Sequence, residues 1–283
     1  MKRDETEGQY IAYICAPEMS NSTLHKIAQY IPENNRIERI WKLAQVDFKK
    51  RYYNDRLGLL WALIKPIFEV IVYYMVFTVA FKVERENFAL FIFCGIIFWM
   101  LFAETTTQGI WLLSKKLYLI ENIQFNRIDL YYSYTISVII GFTFNIGAYF
   151  LIASIMGVFP DWDTLYIPLL VLNFMTIAIG VTMILSSIQP FLKDIWHAWD
   201  MVLIVGFWTS GIFFDLDVIL DPFPWALYVD PFLGMIHNAH AVSLNNYEWS
   251  WFYFFINMGH AIVIFILGLW VMNKYGRLAV EKL

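Results

Sequence analysis

The side chains best placed to do chemistry in this sequence are a few charged groups set inside long apolar runs. Lys65 and Glu69 stand four residues apart within LGLLWALIKPIFEVIVYYMVFTVA. On a helix that spacing puts both on one face, where each partly neutralises the other. A charge at membrane depth marks a substrate path, or belongs to a long side chain that snorkels to the headgroups. Both readings stand for Lys65, beside which Pro66 would kink or start the helix. Glu104 ends a second apolar run and is followed by Thr105, Thr106, Thr107 and Gln108, as expected of a helix emerging into water. Asp194 and Asp200 open a later run, where negative charge suits a helix N-terminus.

Two patterns have the spacing of metal ligands. Asp215 and Asp217 form an Asp-x-Asp pair, which in some sugar-transferring enzymes holds a divalent cation and a nucleotide sugar. The pair falls in a segment assigned below to the outside, where nucleotide sugars are absent. His237 and His240 are three apart and would share a helix face, but no third ligand is near in sequence, so solvated or interfacial histidines are expected. No catalytic constellation and no metal site is expected. The phosphate-cradling loop G-x-x-x-x-G-K-[ST], the G-x-S-x-G elbow and the H-E-x-x-H helix do not occur in the sequence. The chain is therefore read as a non-enzyme that holds no cofactor of its own. If ATP drives it, a separate chain must bind the nucleotide, and this chain must offer a surface that receives force. Segment 113–129, LSKKLYLIENIQFNRID, mixes basic and apolar groups as a docking helix should, although a plain basic loop would look similar.

The elements that carry these residues follow from composition. Of 283 residues, 59% are hydrophobic and 16% charged, against about 45–50% and about 25% in soluble domains. Chain length alone does not account for that excess, but runs of about 18 or more apolar residues do. Twelve Trp, 17 Tyr and 25 Phe suit a protein with two membrane–water interfaces, and also a pore that handles sugars. Cys15 lies in a polar region and Cys94 in an apolar run, so no disulfide framework is expected. No secretory signal is visible at the N-terminus.

An all-α polytopic membrane protein is predicted, because in hydrocarbon every backbone polar group needs a partner within its own segment. Six spans are placed at 58–81, 88–112, 130–157, 165–188, 196–214 and 251–272. Residues 1–35 are expected to be a cytosolic extension. Residues 36–56 are expected to hold an amphipathic helix in the headgroup plane, with Ile37, Ile40, Trp41, Ala44 and Phe48 on its apolar face. Segment 215–250 contains Pro222, Pro224 and Pro231 and two apolar stretches too short to span, so short re-entrant helices are expected between the fifth and sixth spans. Basic residues set the orientation. With the N-terminus in the cytosol, Lys49, Lys50, Arg51, Arg56, Lys115, Lys116, Arg127, Lys193, Lys274, Arg277 and Lys282 all fall inside. Only Lys82 and Arg85 fall in outer loops, and 215–250 carries five carboxylates and no Lys or Arg. Both termini are therefore expected to be cytosolic.

In four places the sequence resembles the type-2 ABC exporter permeases that export O-antigen, capsule or teichoic acid polymers. LGLLWALIKP at 57–66 is similar to the family's entry to its first span; Lys115–Arg127 is similar to its coupling segment. FLKDI at 191–195 resembles its F-x-R-D-I turn with Lys193 for Arg, and Asp230-Pro231-Phe232 resembles its N-P-L element with Asp230 for Asn. The resemblance covers about 36–275 and implies a transmembrane domain at 57–275 with a cytosolic tail at 276–283. It implies a homodimer in the bacterial inner membrane, bound to two ATPase subunits that hold ATP and Mg. It implies lipid-linked polysaccharide, O-antigen foremost, as the substrate; no nucleic-acid partner is expected. Coupling to the ATPase is assigned to Trp41, Lys115, Lys116, Tyr118, Phe125 and Arg127. A sliding polymer needs weak, repeated contacts, which aromatic faces with few fixed charges provide. Tyr73, Tyr74, Phe77 and Phe81 of the first span and Phe207, Trp208, Phe213 and Phe214 of the fifth are the candidates, with Tyr74, Phe77 and Phe81 expected on one face. The alternatives are a small-molecule efflux permease of the same fold, or a membrane glycosyl- or acyltransferase, which would need a cluster of carboxylates, histidines or metal ligands.

Overall fold

The computed structural model describes residues 36–52, 58–122 and 126–283. The 1–35 extension, residues 53–57 and Phe125 lie outside the described residues. The helices are α1 (Arg36–Tyr52), α2 (Leu60–Met75, continued by a π-helical turn Val76–Ala80), α3 (Phe88–Gly109), α4 (Leu112–Lys115), α5 (Leu117–Asn122) and α6 (Arg127–Ile155). After a 3-10 turn, Trp162–Tyr166, come α7 (Ile167–Ile188), α8 (Ile195–Thr209), α9 (Leu216–Leu220), α10 (Ala226–Val229), α11 (Pro231–Ala241) and α12 (Trp251–Lys282). No strand occurs among the described residues, as the all-α reading requires.

Among the described residues five helical segments are long and apolar enough to cross a membrane: Leu60–Ala80, Phe88–Gly109, Arg127–Ile155, Trp162–Ile188 and Trp251–Lys282. They coincide with the first four and the last of the six predicted spans. The segment read as the fifth forms α8, whose 15 residues reach only about 22 Å of the roughly 30 Å needed. It ends early because Gly211 adopts φ +83°, a left-handed turn that glycine makes without steric cost. The third span begins three residues sooner than predicted. Asn126 caps α6 by accepting the Ile128 N–H on its side-chain oxygen at 3.2 Å. The last span continues past 272 to Lys282, carrying Lys274, Arg277 and Lys282 on its final turns.

α3 is the hub, packed by α2, α6, α7, α8 and α11. Sixteen of its 22 residues are buried. α7 and α12 pack against each other through Gly180 and Gly268. A Cβ on Gly180 would come within 2.7 Å of the Phe265 backbone, and one on Gly268 would strike the Gly180 carbonyl. Lipid provides no hydrophobic drive between helices, so such close backbone approach is what holds the pair together. α2 and α8 are the opposite case: α8 has no buried residue, while Phe68, Ile71, Met201, Ile204 and Val205 are all exposed.

Contacts sort the helix ends into two groups. Ser114 bonds Gln189 at 3.1 Å, the Lys282 ammonium sits 4.8 Å over the Phe191 ring, and Arg127 lies beside Gly276. Together with α1, these form the Lys115 end. At the other end Thr164 bonds the Val242 carbonyl at 3.1 Å, and Tyr166 packs on Trp249 and Trp251. Exposed tryptophans stand at both ends, Trp41, Trp61 and Trp196 at the first and Trp162 and Trp251 at the second, as interfacial rings should.

α1 does not lie flat across the bundle but climbs along α6. Arg36 meets Asp129 at the start of α6, Phe48 meets Phe144, and the Tyr52 hydroxyl fills the space that a Cβ on Gly141 would need. Its buried residues are Leu43, Ala44 and Tyr52, while Ile37 and Trp41, on the same side of the helix as Ala44, are exposed.

The 215–250 segment runs along α3 into the bundle and back as a hairpin of short helices. Asp215 lies beside Arg85 of the α2–α3 loop. The chain then descends through α9 and α10 to Asp230, level with Trp99 and Phe102 of α3, whose rings Phe232 meets at 5.2 and 4.5 Å. α11 climbs back, so that His240 stacks on Phe91, nearly three turns toward the start of α3. Asp230 makes the sharp reversal affordable by capping α11: its carboxylate accepts the Phe232 N–H at 2.8 Å and the Thr209 hydroxyl at 3.1 Å. Pro231 follows at the first helical position, where no N–H partner is missed.

Candidate transport path and coupling surface

The aromatic candidates of the first and fifth predicted spans come together in a seam between α2 and α8. Tyr73 meets Phe207, Trp208 and Phe213 with ring centroids 5.6, 6.2 and 5.0 Å apart. Phe77 stacks on Phe213 at 5.0 Å and reaches Phe81 at 5.5 Å and Phe214 at 6.0 Å. Such spacings are those of favourable ring pairs. The Gly211 turn brings the second half of the seam about. It seats Ile212 against Gly95 and points Phe213 inward and Phe214 outward.

Tyr74 departs from the expected face. It turns out of the seam, and Phe81 lies at its rim, while Phe77 between them is buried. The π-helical turn from Val76 to Ala80 changes the angular step exactly where these residues were assumed to follow a regular helix. Tyr73, one residue earlier, supplies the inward ring.

The coupling candidates divide. Lys116 is 8% exposed, and its ammonium is 2.5 Å from the Asp47 carboxylate of α1, with the Ser133 hydroxyl at 3.4 Å. Lys115 is exposed and bonds Gln108 at 3.2 Å. The two neighbours part because α4 ends at Lys116, whose backbone N–H closes the turn on Leu112 and Leu113. Tyr118 packs beside the buried cluster of Leu43, Leu119 and Leu130. Arg127 is half-buried against α12, and Trp41 is 47% exposed.

Four ion pairs at three sites clamp α1, and two of the sites rest on carboxylates, Asp129 and Asp47, that sequence reading did not single out. Asp129, with no exposed side-chain surface, takes Arg36 at 2.7 Å and Arg39 at 3.6 Å. Its hydrogen bond raises the Arg36 pKa above the usual value. Asp47 takes Lys116, and burial beside that pair lowers the Lys50 ammonium. Arg51 Nε donates to Glu104 at 3.0 Å, with a second guanidinium nitrogen also in contact. Glu104 is thus an anchor for α1 rather than simply a solvated helix end. The signal available in sequence was charge placement alone, and partners 53 to 93 residues apart cannot be paired from it.

The polar groups near the other end are engaged with one another. Asp215 accepts from Arg85 Nη2 at 2.8 Å and from the Tyr247 hydroxyl at 2.5 Å. Burial lowers the Arg85 pKa while Asp215 pulls it back up, and a guanidinium starts high enough to stay charged. His240 is buried, contrary to the solvated or interfacial expectation, with a ring nitrogen 3.2 Å from the Phe91 carbonyl. No group of three metal-ligating side chains occurs among the described residues. Lys65 is exposed on α2 and Glu69 half-buried.

Comparison with known proteins places this geometry. The family model described as "ABC-2 type transporter" matches residues 38–244. A relative from Klebsiella pneumoniae called "O-antigen export system permease protein RfbA" is 24% identical over 236 residues, covering 82% of this chain and 90% of its own. A second protein of that name from the same organism is 25% identical over 246 residues with the same coverage. A third, from Myxococcus xanthus, is 25% identical over 202 residues, covering 71% and 78%. The matched region runs from α1 through the 215–250 hairpin, and the chain belongs to the ABC-2 type transporter family.

Proposed function

We propose that this chain is the membrane-spanning subunit of an ATP-driven exporter that carries lipid-linked O-antigen polysaccharide across the bacterial inner membrane. The observation that carries the reading is the ring seam between α2 and α8. Of its seven joined rings Phe77 and Phe213 form the buried base, while Phe81, Trp208 and Phe214 are exposed and carry no fixed charge, an apolar surface along which a sugar chain can slide without being held. The substrate class comes from the relatives named above, which match along most of their length.

The remaining assignments follow from the same reading. A second copy of the chain covers the exposed outer faces of α2 and α8, so that two seams face each other across one channel. α8, too short alone, completes a sixth crossing with its turn at 210–214. The Lys115 end is cytosolic, because it collects the basic residues. Two separate ATPase subunits, holding ATP and Mg, dock there on Trp41 and Lys115, while Lys116, Tyr118 and Arg127 brace that surface from within. Phe125, outside the described residues, is assigned to the same surface.

Cells lacking this chain are expected to go on making lipid-linked O-antigen, to lose it from the surface, and to accumulate it on the cytosolic side of the inner membrane. Fractionation with immunoblotting of the polymer reads this. Undiminished surface O-antigen would refute the assignment, and a halt in polymer synthesis in membranes supplied with all precursors would favour a transferase instead.

A further inference from the structure

We propose that Arg85 is the positioning residue of a latch that closes the outer end of the α2–α8 seam, and that the latch parts each time substrate leaves. The inference rests on the export reading above.

The geometry is that of a clasp. Phe81 and Phe214 are the last rings of the seam, and each is followed within four residues by one half of an ion pair, Arg85 and Asp215. Arg85 Nη2 lies 2.8 Å from Asp215, and its guanidinium carbon lies 3.7 Å from the centre of the Phe91 ring. His240 stacks on Phe91 with its ring centre also 3.7 Å away. Two groups cannot share one ring face at that distance, so Phe91 is sandwiched between the loop and the hairpin. Asp215 starts the hairpin and Tyr247 follows its end; the Tyr247 hydroxyl bonds the same carboxylate oxygen at 2.5 Å. One carboxylate therefore ties both legs of the hairpin to the α2–α3 loop.

The loop is shaped for this contact. Lys82 and Asn87 flank it with φ of 54° and 53°, left-handed backbone that non-glycine residues rarely adopt. Between them Glu84 and Glu86 are exposed, whereas Arg85 turns in to Asp215. The clasp is also releasable. Its side chains are 23% and 44% exposed, so water can replace each partner as the pair separates. Separation frees the ends of α2 and α8 at once, which is what a polymer emerging along their seam requires.

The test uses the complete exporter, this chain with its ATPase, in proteoliposomes holding radiolabelled sucrose. Arg85→Gln is expected to raise ATP-independent sucrose leak about tenfold, the factor corresponding to about 1.4 kcal/mol of lost closure. The charge swap Arg85→Asp with Asp215→Arg is expected to bring the leak to less than roughly half that of Arg85→Gln, which a loss of folding would not do. Wild-type leak in Arg85→Gln, or a swap as leaky as the single variant, overturns the latch. Should these variants fold poorly, Arg85→Cys with Asp215→Cys bridged by a reducible thiosulfonate spacer is expected to stop export until the bridge is reduced. Export that continues through an intact bridge overturns the latch equally. ATP-dependent polymer movement by the wild type reports separately on the export reading. If it is absent that reading falls, while the leak measurements still decide the latch.

Discussion

Lys116→Met is expected to destabilise the protein by roughly 2–4 kcal/mol, because it strands the Asp47 carboxylate in a site that water hardly reaches. The methionine keeps most of the stem packing, so the loss isolates the charge. A buried ion pair is worth little against an apolar pair of the same volume, but breaking one side is costly. Lys116→Met with Asp47→Leu should therefore recover most of the loss. The unfolding midpoint of the purified chain in nanodiscs is expected to fall by roughly 5–10 °C in the single variant and to return most of the way in the double. Lys115→Glu, one residue away, should leave the midpoint nearly unchanged and instead reduce the amount of ATPase that co-purifies. Equal midpoints for Lys115→Glu and Lys116→Met would mean that the buried pair does not hold α1 in place.

Gly268→Leu should have a larger effect, since the obstacle is backbone. A Cβ there meets the carbonyl of Gly180, and α7 cannot yield without losing its approach to Phe265. Overpacking against side chains costs about 1–3 kcal/mol, and against main chain the cost is at least about 3 kcal/mol. The variant is expected to be lost from membranes to degradation. Gly259→Leu, on the same helix and with no atom within 4 Å of the added Cβ, serves as the control and should accumulate normally. Loss of both variants alike would show that α12 tolerates no bulk anywhere, and normal accumulation of both would remove the α7–α12 contact from the account.

The helices themselves were legible because hydrocarbon leaves the backbone so few options. Five predicted spans coincide with five long apolar helices, and the Pro-interrupted segment between α8 and α12 forms three short helices, in keeping with its short apolar pieces. What escaped sequence reading lies where a single residue resets local geometry. Gly211 cuts α8 short, the π-helical turn at Val76–Ala80 changes which tyrosine faces the seam, and the end of α4 splits Lys115 from Lys116. The rings of the seam were legible by type and span, since the first and fifth predicted spans carried them in bulk. The ion pairs were not: Asp129 and Asp47 read as ordinary acidic residues until α1 folds along α6 and over α4. Arg85 was visible as one of two basic residues in the outer loops, but its partner is 130 residues away.

The measurement that bears most directly on the central claim is translocation in a purified system. This chain and its ATPase, reconstituted in vesicles with lipid-linked O-antigen on the nucleotide-accessible face, should move the polymer to the opposite face only when both proteins and ATP are present. Protection of the polymer from an added glycosidase reads the transfer. Polymer that stays exposed while ATP is hydrolysed by the assembled complex, or that crosses equally well without the ATPase, would contradict the account.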